Sequence, residues 1–483
     1  MPVSDVIIQA PTGTARPPFT FTPDHEHLLD EVQRGAFNFL WNASKDAGPG
    51  MVPDRASKPT VSVAGVGFQL SGICIGVERG WITRKNGEDR AIRILAALDS
   101  NPTNRKAGMF YHFLDPATAG PPPDAPEYTV STIDSALLFA GVLTAAQYFG
   151  GDVRTLADAL FEGADWRFFL AGPRDRTSQG FVTLGWKPTK HDDPTGEGEL
   201  LPYAWIDAGD EHRLVTFLAV CAPTEARRVE PRVYYRLRRQ LGEFRDTGPM
   251  VWFPWSGALF TQLFAHCWID YAAMPPDNPA AFSIPNRPRA DWWENSRRHV
   301  RLHRLKALDA AGKVPTLGEN AWGLSASDVH DGYAVPGVFP DPLPMPGAFP
   351  ELDYPVYQPK DNLGDGTVAP YAAGSSVMFD PDAALAALAY YRSLPPQPGQ
   401  PALWSDPQSG GFGFADAFNL GTGWVAPDYV AIDQGPLLLA IENARTGFVW
   451  KTFHAHPWVR AGMERLKLST TRAAPPADSG DSK

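Results

Sequence analysis

Apolar residues return every three or four positions along most of this chain, the spacing of amphipathic helices rather than the alternation of half-buried strands. The runs fall at 27–41, 64–77, 90–98, 133–148, 155–170, 212–220, 260–271, 292–308, 383–394, 436–442 and 457–466, which predicts eleven or twelve helices. Between them lie loops rich in Gly, Pro and aromatic residues, for example at 180–202, 248–257 and 335–362. Loops of that length inside a compact domain are functional or disordered. About a dozen amphipathic helices joined by alternating short and long loops predict helical hairpins packed in a ring. The result is an all-α, double-layered α/α barrel over 25–468, with the long loops gathered over one mouth. No internal repeat is strong enough to define the ring, so this reading rests on helix count and loop asymmetry. Residues 1–24, rich in Pro and Thr, read as a flexible arm, and 469–483 as a disordered tail.

Composition narrows the function. With 483 residues, 43% of them hydrophobic, the chain can bury a large core. A formal charge of −11, with no concentrated basic surface, argues against a nucleic-acid partner. The Arg clusters at 227–228, 236–239 and 297–304 lie among Tyr, Leu and His at helical spacing and read as solvated helix faces. Cys74, Cys221 and Cys267 sit in apolar stretches without metal-ligand spacing, as buried thiols do. No apolar run reaches about 18 residues, so no membrane span or membrane partner is expected. The first ten residues have neither the basic start nor the apolar stretch of a secretory signal. That predicts a cytoplasmic protein as given, or a periplasmic or secreted one if a leader was removed.

Four glycine-punctuated motifs stand between 320 and 450: NAWGLSASD at 320–328, GDGTVAP at 364–370, FADAFN at 414–419 and AIDQGP at 431–436. Each sets a carboxylate beside Trp, Phe, Asn or Gly. Carboxylates polarise water and sugar hydroxyls, flat rings cover the apolar faces of pyranoses, and glycine lets backbone approach a ligand. Together they suggest a carbohydrate cleft, although any one of them reads equally as a loop whose Asp caps a helix. Glycosidic hydrolysis needs one acid and a second carboxylate. Glu211 follows a Trp-bearing loop, YAWIDAGD at 203–210, and precedes the apolar run 214–220, so it falls at a helix start. A helix N-terminus lowers a carboxyl pKa and burial against Trp205 raises it, and a general acid needs burial to win. Asp210 or Glu211 could also serve only as the cap. Asp433 stands at another helix start, with Pro436 in its first turn. Asp134 and Asp365 are further candidates, the first equally a capping residue and the second a turn residue. Asp270, embedded in an apolar stretch, needs partners, and Arg297 or Arg298 are expected to supply them. There is no zincin spacing, Gly-x-Ser-x-Gly elbow, phosphate loop or dinucleotide fingerprint.

These motifs, together with Phe37–Trp41, VERGWI at 77–82, FYHFLD at 110–115, STID at 131–134, GWKP at 185–188, HCWID at 266–270 and WENSR at 293–297, occur in an order that resembles the bacterial glycoamylase-like family. Its characterised members include the β-1,2-glucanases of glycoside hydrolase family 144. The resemblance covers residues 26–467. It implies a single (α/α)6 barrel and an inverting hydrolase of β-1,2-linked glucans or their oligosaccharides, working without a metal or other cofactor. The family's acid is the Glu of a Tyr-Asn-Glu-Ala-Met segment, and aligning the downstream Ala222-Pro223-Thr224 sets it at Glu211. The base is placed at Asp433, with Asp134 as competitor. Trp186, Trp205, Trp268 and Trp322 would form sugar platforms, while His112, Lys187, His266, Asp328, Asp365, Asp416 and Asn419 would bind hydroxyls.

The chain departs from the family at the acid, where it reads Gly209-Asp210-Glu211-His212-Arg213. A flanking His and Arg would hold the acid ionised unless they point away. Two other outcomes follow: a retaining transglycosylase on the same scaffold, with a closer carboxylate pair, or a catalytically silent glucan-binding protein. Uronate lyase chemistry would want Tyr, His and Arg around an acidic sugar, which the net negative charge disfavours.

Overall fold

Helices form at nearly every predicted run, and their burial sorts them into two layers. A computed structural model describes residues 3–44, 48–123, 128–173, 179–190, 196–345 and 359–469. Among these, thirteen α-helices follow in chain order: α1 (Pro23–Asn42), α2 (Val63–Glu78), α3 (Arg84–Ser100), α4 (Thr132–Phe149), α5 (Gly151–Glu162), α6 (Asp210–Cys221), α7 (Arg232–Arg236), α8 (Trp292–Ala310), α9 (Pro370–Ser375), α10 (Pro381–Ser393), α11 (Ala431–Arg445), α12 (Phe448–Ala455) and α13 (Pro457–Leu466). The inner ring runs α2, α4, α6, a wall of short 3-10 turns at 259–273, α9 and α11, and α11 returns to pack on α2. Around it α1, α3, α5, α8 and α10 form the outer layer, making an (α/α)6 barrel. The ring is sealed by Arg445 of α11, which reaches Glu26 at 2.7 Å and the Gln33 amide oxygen at 2.7 Å on α1.

Inner helices are walled on both sides, so they are apolar nearly all round. Helix α2 buries every residue from Val63 to Gly76. Helix α4 is long and apolar enough to cross a membrane by composition, but it is packed into the ring. The two cross closely because each carries a glycine at the contact: a Cβ on Gly141 would lie 1.9 Å from the Gly67 carbonyl oxygen, and one on Gly67 2.2 Å from that of Leu137. Gly141→Ala is therefore expected to destabilise the protein by about 1–3 kcal/mol through overpacking. An unchanged urea midpoint would mean that the two helices separate without cost.

Four expectations are corrected. The stretch 260–271 is not an α-helix but the 3-10 turns Leu259–Gln262, Ala265–Cys267 and Tyr271–Ala273. Short-range backbone bonds such as Ile269 N–H to the Ala265 carbonyl hold the turns, and side chains take the rest: the Ala265 N–H donates to Asp210 at 2.6 Å, the His266 carbonyl accepts from Trp450 at 2.6 Å, and the Cys267 carbonyl accepts from Asn443 at 2.8 Å. Residues 1–24 are not a loose arm in their described part. Ile7–Ile8 pairs in parallel with Arg289–Ala290, Ile8 is buried, and Arg16 pairs with Asp291 and lies 4.6 Å over the Trp293 ring. Asp270 caps the last 3-10 turn through the Ala273 N–H, while Arg297 and Arg298 bind Glu294 of their own helix. The predicted helix 155–170 stops at Glu162, where the following Gly163 caps it. Most of the predicted tail, 470–483, lies outside the described residues.

Candidate active site

Three inner helices, α4, α6 and α11, each begin with a carboxylate in the first turn: Asp134, Glu211 and Asp433. Glu211 follows the cap Gly209, whose missing side chain leaves the helix start open. Among the described residues no group hydrogen-bonds its carboxyl. Burial, with the charges of Asp134 and Asp210, pushes it up to about 8, so burial overrides the helix N-terminus and the group carries a proton at neutral pH.

Both residues after the acid turn away from it. His212 sets Nδ1 on the Asp207 carbonyl and packs its ring between Trp205 (4.5 Å) and Phe253 (4.7 Å); burial holds it down at about 4, hence neutral. Arg213 pairs with the buried Asp210 and stacks 3.7 Å over Trp292. Asp210 also accepts the Ala265 N–H, and burial keeps its carboxyl up at about 6.

The other carboxylates form a chain. Asp433 and Asp416 are both buried and hydrogen-bonded to each other, which requires a shared proton, because two carboxylates this close cannot both ionise. Burial and the neighbouring Asp416 hold Asp433 well above the ordinary carboxylate range; burial raises Asp416 to about 6. Asp416 accepts the Asp328 N–H at 2.8 Å, and the Asp328 carboxylate accepts from Arg55 at 3.1 and 3.0 Å. Arg55 also lies 3.5 Å from Asp54 and 3.6 Å from Asp428. On the α4 side, Ser131 caps the helix through the Asp134 N–H at 3.2 Å and donates its hydroxyl to the Asp134 carboxylate, while His112 Nε2 stands 3.5 Å away. Among the described residues no three His, Cys, Asp or Glu are arranged to hold a metal ion. What the geometry offers is a carboxyl held protonated by burial, and other carboxylates that can take a proton, in the first turns of three inner helices.

Other predicted residues divide by burial. Trp205 is half-buried at the mouth, its Nε1 donating to Thr132 Oγ1 at 2.9 Å, and Lys187 is exposed on the strand Gly185–Pro188. His112, Asp328 and Asp416 line the acidic cluster. Trp268 has no exposure, bonds Ser71 at 2.9 Å and packs on Phe68, and so presents no face to a sugar. Trp186 and Trp322 are likewise buried, the former under Lys106 at 4.7 Å. His266 is enclosed by Ser296 (2.9 Å), Tyr271 and Phe379. Asn419 is buried with its amide hydrogens on the Asp365 carbonyl (3.0 Å) and Thr367 (3.2 Å), and its oxygen accepts the N–H groups of Gly421 and Thr422. Asp365 is an exposed turn residue that accepts the Thr367 N–H at 2.9 Å. These five, Trp186, Trp268, Trp322, His266 and Asn419, are core or loop-bracing groups, and Asp365 shapes a turn.

Sequence reasoning missed Asp54, Arg55, Asp428 and Tyr333. Asp428 had a signal, standing five positions before Asp433 in the loop that leads into α11. Tyr333 lies directly opposite Asp328 in the hairpin Ser327–Val329 with Gly332–Ala334, and cross-strand partners share a face. It is 58% exposed; partial desolvation over the cleft, with the charges of Asp433, Asp416, Asp54 and Glu211, holds its phenol above the ordinary value.

The family model for Glycoamylase matches residues 202–457, from just ahead of the acid helix to the start of α13. An exo beta-1,2-glucooligosaccharide sophorohydrolase (non-reducing end) from Parabacteroides distasonis is 25% identical over 491 residues; the match covers 93% of this chain, which spans 59% of that relative's length. The endo-beta-1,2-glucanase of Chitinophaga pinensis, solved with sophorotriose and glucose, shares the fold with a TM-score of 0.72 at 21% identity, over 93% of this chain and 99% of that one. A beta-1,2-glucanase structure from Parabacteroides distasonis gives a TM-score of 0.71 at 23% identity, over 93% and 60%.

Proposed function

The chain belongs to the Glycoamylase family, and from that premise we propose that it is a glycoside hydrolase that cleaves β-1,2-linked gluco-oligosaccharides with inversion. Glu211 is the general acid and the Asp416–Asp433 pair the base. One observation carries the assignment: a buried carboxyl without hydrogen-bond partners, holding its proton to about pH 8, stands in the first turn of one inner helix, and the buried Asp433, which interacts with Asp416, stands in the first turn of another. The substrate class is supported by what the similar sophorohydrolase is named for.

Glu211 gives its proton to the glycosidic oxygen as the C–O bond breaks, and the leaving sugar departs as an alcohol. A water attacks the anomeric carbon from the opposite face and loses a proton to the pair, directly or through a substrate hydroxyl. The pair passes from one proton to two, acting as a single unit. Asp134, whose charge helps raise Glu211, keeps the acid protonated. With His212 and Arg213 turned aside, the altered acid segment no longer motivates the reading as a silent binding protein.

The test is the pH dependence of kcat/KM on linear β-1,2-glucan. Activity is expected to rise as Asp416 deprotonates near pH 6 and to fall as Glu211 deprotonates near pH 8. Asp134→Asn removes a repelling charge and should move the alkaline limb down while sparing the acid limb. If instead it abolishes turnover while Asp433→Asn stays active, Asp134 is the base. If no products form from β-1,2-glucan at any pH, the substrate class is wrong.

A further inference from the structure

A single guanidinium ties together the stretches of chain that carry the carboxyl pair. Arg55 stands 3.5 Å from the Asp54 carboxylate, 3.0 Å from that of Asp328 and 3.6 Å from that of Asp428. We propose that Arg55 is a positioning residue for the Asp416–Asp433 pair, and that its charge keeps the pair able to accept a proton from the attacking water. This rests on the hydrolase reading above and adds to it the group that tunes the base.

Asp416 is held by two of the residues that Arg55 gathers. Its N–H donates to the Asp428 carbonyl at 3.0 Å, and its carboxylate accepts the Asp328 N–H at 2.8 Å. Asp433 is set from the same loop, because the Ala431 N–H that opens α11 donates to the Asp54 carbonyl at 2.8 Å. The Arg55–Val430 bridge and the Ala56 N–H on the Tyr429 carbonyl, at 3.0 Å, fix the backbone beside it. Ser57 completes the hold, giving its N–H (3.0 Å) and its hydroxyl to the Asp428 carboxylate. Arg55 itself spends one nitrogen on both Asp328 oxygens, at 3.1 and 3.0 Å, and turns Nε toward Asp54.

The charges around the pair give Arg55 a chemical role as well. Asp328 and Tyr333 bear on the pair from the hairpin, Asp54 and Arg55 from the loop, and Tyr371 from α9; of these only Arg55 is positive. Asp54 also meets His112 and Asp134 on the α4 side. Burial lifts Asp416 to about 6; the hydrogen bonds from Asp433 and the Asp328 N–H, and then the charge of Arg55, pull against it, while the charge of Asp328 adds to it. Without Arg55, the carboxylates of Asp54, Asp328 and Asp428 lose the cation they share, and the pair takes its second proton at higher pH. A pair that already holds two protons cannot take one from water. Glu211 answers instead to burial, Asp134 and Asp210.

Profiles of kcat/KM against pH on linear β-1,2-glucan, for Arg55→Met, Arg55→Lys and Asp328→Asn, test the assignment. Arg55→Met should move the acid limb up by about one pH unit and leave the alkaline limb in place, so that the bell narrows from one side. Arg55→Lys keeps a charge but cannot span three carboxylates, so its acid limb should stay within about 0.3 pH unit of the wild type while kcat falls about 3–10-fold. Asp328→Asn keeps the N–H on Asp416 and removes one negative charge, so its acid limb should move down by about half a pH unit. Its near-identical size keeps this arm readable if the Arg55→Met chain does not fold. An acid limb that stays in place in Arg55→Met, whatever the loss of rate, makes Arg55 a structural brace and overturns the proposal. So does an acid limb that fails to move down in Asp328→Asn. Either result leaves the hydrolase reading intact, whereas a wild type that forms no product from the glucan fails that reading first, and the proposal falls with it.

Discussion

Glu211→Gln is expected to slow hydrolysis of linear β-1,2-glucan by about 10²–10⁴-fold and to leave melting temperature and glucan affinity unchanged. The expectation of an intact fold is specific. Because burial and Asp134 keep this carboxyl protonated to about pH 8, the native group at neutral pH is already an uncharged acid, and an amide matches it in size and charge. What the amide cannot do is release a proton to the leaving oxygen. Calorimetry with the variant should thus show wild-type binding without product on chromatography. Residual hydrolysis above a tenth of the wild-type rate would move the acid elsewhere, and lost binding would mean that the carboxyl positions the sugar.

Arg213→Met should cost about 3–5 kcal/mol of stability at pH 8. The guanidinium is fully buried, pairs with Asp210 and lies against Trp292, so its loss strands a carboxylate that has no exposure. The sign of the pH dependence follows from Asp210, which is raised to about 6 from an ordinary 3.8. A carboxyl that binds its proton more tightly when folded favours the fold below its unfolded value and loses that contribution as pH climbs through the folded one. Removing Arg213 raises Asp210 further, so the variant should be nearly rescued at pH 5 and fail at pH 8. Equal losses at the two pH values, in urea denaturation, would mean that packing on Trp292 and not charge is what Arg213 supplies.

The place of Glu211 at a helix start was legible in the sequence because its signal is local: a carboxylate one turn ahead of the apolar run 214–220, beside a Trp-bearing loop. The outer helices were legible for the same reason, since each has one wet face. Helix α9, six residues opened by Pro370, was too short to show a period. Asp54 and Arg55 escaped because their place depends on long-range contacts, among them the Arg55–Val430 bridge and the Ala431 N–H on the Asp54 carbonyl, which set an irregular loop near one end of the chain against the start of α11 near the other. Trp268 and His266 were misassigned for the opposite reason. They stand beside Asp270 in a motif that looks like a binding site, and only the backbone path of 259–273 shows that they point into the core.

That backbone path also bears on how the surroundings of Glu211 are completed. A segment of short 3-10 turns that gives the Ala265 amide and the His266 and Cys267 carbonyls to Asp210, Trp450 and Asn443 draws part of its hydrogen bonding from α6, α12 and α11, so its native path is tied to the packing of those helices. Asp210 is the residue beside the acid. Completion of the ring and burial of the Glu211 carboxyl are then linked, and a half-built barrel would lack the desolvated carboxyl that the proposed hydrolysis needs.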